Sequence, residues 1–409
     1  KFRNTLSSTI LTNNFIRDIM VCFYSDQNVY ITSSGRGNTH DSLMSFLSDE
    51  RYAAFVEANV VDERIEYTGG TLIQAETGEV FYVKTYPVTQ VGDGHMRSSI
   101  YVKFAENPFQ NMSVEGYGLV YNKEIFKDAG IDASTLTSYD AIDAAFANLQ
   151  EQIDSGKLKD KYPQLEAVEE YAAKETWIPG LHTLNAPLAC EYKNANELEA
   201  SDDLGLKYAD SLKALLDLET KYTTSKDDLS KLNAVDYSTE IGGGLAIERV
   251  AVVQQGNWIG PELKGIDETI ANKMGILPLP IKGVKEDCIP VGISIKWCIN
   301  SQSDEKVKEA SKQFINWLFQ SDEGKKIVVD DFGCVPAFDN YDDVEISDPL
   351  SKEVKRYIDE GKTTPWVMDG FPSGFEAKSA ADFQGYFSGE YTFDEMVEHL
   401  KADFKDLKK

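Results

Sequence analysis

The sequence predicts α/β lobes built on mixed sheets, preceded by an α+β segment of different character. Three observations carry this reading. The 409 residues are 42% hydrophobic, enough to fill more than one core. From residue 115 onward, short β-branched runs alternate with longer amphipathic helices, the rhythm of α/β architecture. Before about residue 105, short alternating stretches dominate, as in an antiparallel sheet with helices.

In the first hundred residues, Ile19–Ser34 (IMVCFYSDQNVYITSS) reads as strand, and Thr71–Val88 as a hairpin with Thr77-Gly78 at its turn. Asp41–Ala58 between them predicts a helix with Leu43, Phe46, Tyr52 and Phe55 on an interrupted apolar face. Val114–Ile131 (VEGYGLVYNKEIFKDAGI) is an apolar strand, with Tyr117, Leu119, Val120 and Tyr121, running into a helix that Gly130 stops. Glu115 stands at its mouth. The stretch TSYDAIDAAFANLQEQI opens on a Ser/Thr cap and sets Ile142, Ala145, Phe146, Leu149 and Ile153 on one helical face. The runs Arg249–Gln255, Met274–Pro280 and Val291–Ile299 read as short buried strands. SDEKVKEASKQFINWLFQSDEG predicts a helix capped by Ser303, striped by Val307, Ala310, Phe314, Leu318 and Phe319, and stopped by Gly324. Thr392 and Glu395 form a capping-box pattern ahead of Met396, Leu400 and Phe404. The Gly-rich GGGLAIE (Gly242–Glu248) lacks the Lys-Ser/Thr of a phosphate-cradling loop and reads as a flexible turn.

Charge narrows the partners. With 68 acids against 41 bases the net charge is −27, which repels nucleic-acid phosphates and anionic lipid and suits neutral or cationic ligands. No apolar run approaches the roughly 18–20 residues of a membrane span. The chain begins at Lys1 with no signal-peptide pattern, and reads as a mature or shortened form. Five dispersed cysteines (Cys22, Cys190, Cys288, Cys298, Cys334) give neither a disulfide framework nor a zinc spacing. They read as buried thiols, with a Cys288–Cys298 pair left open. Four scattered histidines predict no metal cluster, and His182 near Glu175 reads as a hydrogen-bonded surface residue. The sequence has no GxSxG or HExxH, and abundant acids make chance carboxylate pairs uninformative about glycoside hydrolysis. No cofactor is expected.

Four stretches in order now resemble one family. VEGYGLVYNKEIFKDAGI is the first, and AVVQQGNWIGPEL (Ala251–Leu263) the second. The third is MGILPLPIKG with VGISIKWCINSQSDEKVKEASKQFINWLFQSDEGKKI, and the fourth GEYTFDEMVEHLKADF. Together they are similar to family 1 extracellular solute-binding proteins, the sugar-capturing subunits of ABC importers, across about 300 residues from near Asn111. The resemblance implies a type II periplasmic-binding-protein-like two-lobed clamp on an oligosaccharide, handed to ABC permease subunits outside the cell. It further implies a monomer held by a lipoprotein anchor beyond this chain. Residues 106–285 with 345–409 would form the second lobe, and 286–344 the remainder of the first.

Sugars are recognised by aromatic faces and planar polar groups. The resemblance therefore nominates Trp258 after Gly256-Asn257, Glu115 at the crossover strand, and Glu175 with Trp177 in KETWIPG. Trp366, Phe371 and Phe375 in TPWVMDGFPSGFEA complete the candidate binding set. Trp297 and Trp317 read as core. Residues 1–105 depart from the family and weakly resemble a Cache-type sensor domain. They either rebuild part of the first lobe or come from a fusion, and the latter gives the alternative of a sensory ectodomain with a fused sugar-binding module.

Overall fold

The computed structural model describes residues 16–23, 28–33, 37–42, 60–61, 64–65, 71–74, 80–88, 96–104 and 110–408, apart from 298, 301, 339–340 and 342–343. The chain forms two compact units, Lys1–Asn111 with Lys296–Trp317, and Met112–Ile295 with Leu318–Lys409.

In the first unit, strands β1 (Ile16–Phe23), β2 (Asn28–Ser33), β3 (Gly37–Ser42), β6 (Thr71–Gln74), β7 (Val80–Val88) and β8 (Met96–Phe104) make a six-stranded sheet in the order β3-β2-β1-β8-β7-β6. The intervening β4 (Val60–Val61) and β5 (Arg64–Ile65) pair separately. Every pairing in the large sheet is antiparallel, as the alternating runs predict. β6 and β7 pair with Gln74 opposite Val80, so the expected hairpin forms, although its Thr77-Gly78 turn lies outside the described residues. The helix expected over Asp41–Ala58 begins inside β3 and otherwise falls outside the described residues.

The second unit is built around β9 (Gln110–Asn122), which leads into α1 (Lys123–Asp128). The Asn122 side chain accepts from the Glu124 and Ile125 amides, and the chain leaves the helix through Gly130 at φ +73°. Helix α2 (Tyr139–Asp154) is capped by Ser138 and buries Ile142, Ala145, Phe146 and Leu149. The central strands are β10 (Ala167–Glu170), β11 (Val250–Gly256), β12 (Met274–Leu277) and β13 (Ile289–Trp297). With β14 (Val335–Pro336) and β15 (Thr363–Pro365), their order is β10-β11-β9-β13-β15, β12 and β14 also pairing with β9. β10 and β11 run parallel, as do β13 and β15, while β9 is antiparallel to β11. The sheet is mixed. Burial is complete along β11, because helices cover both faces of such strands.

Helices α3 (Leu184–Leu188), α4 (Ala209–Lys221), α5 (Tyr237–Glu240) and α6 (Ile259–Ile266) precede β12. After β13 come α7 (Glu305–Gln320), α8 (Pro349–Asp359), α9 (Phe375–Phe387) and α10 (Phe393–Leu407). α10 carries the full Thr392–Glu395 capping box and buries Met396, Leu400 and Phe404.

Four local expectations are corrected. α7 starts at Glu305, one residue after Asp304, so Ser303 is not its cap; Gly324 lies inside a further short helix, Asp322–Lys326, capped by Ser321. The α7 stripe is not all core: Leu318 and Phe319 are buried, but Val307 and Phe314 are 52% and 50% exposed. Trp317 is 40% exposed and Trp297 half-buried, stacked on Phe314 rather than enclosed in a core. Gly242–Leu245 is wound into a π-helical turn, Ile241–Leu245, since its neighbours Ile241 and Leu245 are fully buried and anchor it.

Candidate functional site

The second unit gathers five aromatic rings, one from within β9, two from a π-helical turn and two from strand ends. Tyr117 lies on β9, opposite Gly256 of β11. Trp258 follows that strand end, and its ring folds back over Gly256, where a Cβ would sit 2.2 Å from the indole. Only glycine permits this contact. The turn is locked by Asn257, whose amide and side chain bond the Gly116 backbone and whose Nδ2 donates to Ser351 Oγ. Trp177 opens the π-helical turn Ile178–Thr183, which also carries His182. Trp366 follows β15, whose Pro365 pairs with Val291 of β13. Its ring covers Gly292, where a Cβ would meet it at 2.4 Å.

His182 occupies the centre of this group. Its ring stacks on Tyr117 at 4.1 Å and 13°, and its centroid is 5.1 Å from Trp177, 5.3 Å from Trp258 and 6.3 Å from Trp366. Trp177 and Trp258 are 6.2 Å apart, and Tyr117 is 6.0 Å from Trp366. Rings this close touch one another. They make a continuous platform rather than a hollow cage, with Trp177, Trp258 and Trp366 only half-buried.

One buried amide holds the platform together. Asn185 Nδ2 donates to the Tyr117 hydroxyl and the Pro365 carbonyl, and its Oδ1 accepts from the Val367 and Met368 amides. Asn185 thereby pins both sides of Trp366 to the strand that carries Tyr117. Tyr117 in turn donates to the His182 carbonyl. A second support runs from Trp258 Nε1 to Gln255 Oε1 at 2.9 Å, and from Gln255 Nε2 to Glu240 Oε2 at 2.5 Å.

The platform adjoins a polar layer. Glu169, Glu219, Glu240, Gln254 and Gln255 are wholly buried, and Glu170 nearly so. Thr183, next to His182, bonds Tyr171, Glu219 and Gln254. Neither oxygen of Glu169 has a hydrogen-bond partner. Burial drives the carboxyls of Glu169, Glu219 and Glu240 well above the ordinary range, reinforced by repulsion from neighbouring carboxyls, Glu170 and Glu175 acting on Glu240, Glu240 on Glu219, and Glu219, Glu240 and Glu170 on Glu169. Burial also pushes the His182 imidazole down to about 3, so it is neutral.

The candidate residues thus divide. Trp177, Trp258 and Trp366 come together. Glu115 lies two residues before Tyr117 on β9, hence on the same strand face, half-buried, with its carboxyl raised by burial against a hydrogen bond to Ser294. Glu175 accepts the Tyr237 amide at 2.9 Å, and the Tyr237 ring is 6.0 Å from Trp177. Phe371 is half-buried and packs edge-on against Phe375. Phe375 does not join the platform: it is wholly buried in the first turn of α9, edge-on to Phe404. A loop was expected there, but the chain is already helical at Phe375 and turns that ring inward. His182 is 6% exposed and not a surface histidine, because the surrounding rings enclose it. Tyr117, His182 and Asn185 were missed. A Tyr in a buried strand or an Asn inside a short helix carries no local mark of such a role. Among the described residues, Cys190, Cys288 and Cys334 are free thiols, no group of side chains is arranged to hold a metal ion, and no helix is long and apolar enough to cross a membrane. Cys298 falls outside the described residues.

Residues 107–358, well over half the chain, match the family model described as bacterial extracellular solute-binding protein. The chain belongs to the bacterial extracellular solute-binding proteins. No curated protein matches it. Among solved structures, this solute-binding protein is similar to RafE in complex with raffinose, at 15% identity and a TM-score of 0.56 over 75% of this chain and 74% of that one. A chitin oligosaccharide binding protein follows at 16% and 0.54, over 75% and 72%. The open form of MsmE from Bacillus subtilis gives 17% and 0.53, over 74% and 72%. These likenesses are likenesses of fold. They bear out the α/β periplasmic-binding-protein-like architecture expected from the sequence.

Proposed function

We propose that this chain is the carbohydrate-capturing subunit of an ABC importer, taking an oligosaccharide on the aromatic platform. The observation that carries the reading is the contiguous surface of Trp177, Trp258 and Trp366 around His182, half-exposed and held by Asn185. Flat indole faces match the C–H faces of pyranose rings, and a micromolar ligand needs only about −8 kcal/mol. Glu115 and Glu175 are the carboxylates assigned to sugar hydroxyls, and Phe371 extends the apolar rim. The sugars named for RafE and the chitin oligosaccharide binding protein support the ligand class.

In this reading the protein binds without chemistry, as a monomer, and delivers its sugar to permease subunits at the outer face of the membrane, where a lipid anchor holds it. Nucleic acid is no partner, given the net charge of −27. One lobe is assigned to Met112–Ile295 with Leu318–Lys409 rather than to 106–285 with 345–409, and the other keeps Lys296–Trp317 rather than all of 286–344. Tryptophan fluorescence titrated with raffinose, chito-oligosaccharides and malto-oligosaccharides tests the proposal. A saturable change without released reducing ends supports it. No response to any sugar overturns it, and release of reducing ends replaces it with a glycosidase.

A further inference from the structure

We infer that His182 is a ligand-binding residue of this platform, a neutral imidazole donating its Nε2 hydrogen to an uncharged hydroxyl or ring oxygen of the sugar. The inference rests on the carbohydrate reading above and deepens it.

The geometry is unusual for a structural histidine. A buried imidazole normally satisfies at least one nitrogen within the protein. Here Nδ1 is sealed from solvent with no partner, and among the described residues the imidazole makes no side-chain hydrogen bond, while the His182 backbone carbonyl accepts from the Tyr117 hydroxyl. The ring is held by faces alone: Tyr117 stacked beneath it, Trp177 edge-on, Trp258 and Trp366 tilted. Such packing fixes the plane of the imidazole without using its polar edge.

The tautomer follows from the cost of orphan groups. Buried N–H groups without acceptors are rarer than under-satisfied acceptors, so the sealed Nδ1 carries the lone pair and Nε2 carries the hydrogen. The neighbouring Trp366 ring, 6.3 Å away between centroids, also has a buried indole N–H without an acceptor. With Nδ1 closed off, whatever the imidazole offers a ligand leaves through Nε2. A ring enclosed by four aromatic rings does not take a second proton, and the platform itself holds no cation. The side chains at its margin, Glu115 and Glu175, are carboxyl groups and offer a uronate no cationic partner. The site therefore selects neutral sugars over uronates.

Wild-type protein is first titrated with raffinose, chitotriose and maltotriose; silence toward all three overturns the carbohydrate reading itself, and with it this one. With a binding sugar in hand, His182→Phe keeps the stacked ring and removes the donor, and is expected to weaken affinity about tenfold. His182→Gln, which replaces a donor near Nε2, is expected to recover most of that loss, whereas His182→Asn, which reaches only toward Nδ1, is not. Equal affinity of wild type and His182→Phe overturns the inference while leaving the carbohydrate reading standing. A glucuronate-terminated trisaccharide bound more tightly than the neutral sugar also overturns it. Should the variants fail to fold, nitrogen-15 NMR of histidine-labelled wild type, with four histidines to resolve, decides the matter. An Nε2–H tautomer supports the inference, and an Nδ1–H tautomer or an imidazolium rejects it.

Discussion

The aromatic platform and the buried carboxyl layer share β11 and the Ile178–Thr183 turn, yet they put opposite demands on the fold. The platform is uncharged, half-exposed and held by packing, with Asn185 and Gln255 as its polar fasteners. The layer is wholly buried, rich in carboxyls, and partly unpaired, with both Glu169 oxygens orphaned. Stacked aromatic rings add roughly 0.5–1.5 kcal/mol per pair beyond burial, whereas an unpartnered buried polar group costs about 1–3 kcal/mol. Binding capacity and structural tension are thus side by side. The platform is the proposed seat of affinity; the layer is where stability is given up.

Removing the platform's anchor gives the largest expected effect. Trp258→Ala should weaken sugar binding about 30-fold or more, as for a buried aromatic hot spot, read by calorimetric titration. The carboxyl layer should barely notice. Loss of folding instead of affinity would mean that the two regions are one structural unit.

The layer should respond to substitution in the opposite sense. Glu169→Met is expected to stabilise the protein by about 1–3 kcal/mol at pH 8, measured by urea unfolding. The direction with pH follows from which state holds the protons. Glu169, Glu219 and Glu240 hold their protons to higher pH when folded than when unfolded, where they release them near 4.5, so each lowers stability as pH rises above that value. His182 works the other way: the unfolded chain takes up a proton below 6.5 while the folded ring stays neutral to about 3, so it lowers stability as pH falls. The two oppose each other between 4.5 and 6.5. Above 6.5 only the carboxyls act. The wild-type unfolding midpoint should therefore rise on going from pH 8.5 to 6.5, and Glu169→Met should flatten that slope. A midpoint flat over this range would show the carboxyls to be already ionised in the folded protein.

The smallest effect belongs to the fastener between the two regions. Gln255→Leu removes the acceptor of Trp258 Nε1 and the donor to Glu240. Affinity should fall about threefold to tenfold with the indole still in place over Gly256, as judged by its fluorescence maximum. An affinity loss as large as that of Trp258→Ala would mean that packing on Gly256 does little to orient the ring.

The backbone plan was largely legible. The β9-to-α1 passage, the Ser138 and Thr392 caps, the buried β11 run and the antiparallel pairing of the first unit all follow from patterns spanning a few residues. Half of the site was legible too. Trp258 and Trp366 stand where strands end, and glycines at 256 and 292 make room for their rings. Helix periodicity fared differently in α10 and α7. Both show an apolar stripe, but Leu400 and Phe404 are enclosed while Phe314 is half exposed.

By itself the sequence determined where most strands and helices lie, the apolar periodicity of their faces, and that Trp258 follows a glycine at a strand end. Hydrogen-bond periodicity, caps and turns are local, so a few adjacent residues specify them. Only the tertiary structure decided that Phe375 is core, that His182 is enclosed, and that Glu169, Glu219 and Glu240 meet. These depend on contacts between distant positions, such as Asn185 with Val367, 182 residues apart. Burial belongs to the assembled fold, and no short stretch of chain carries it.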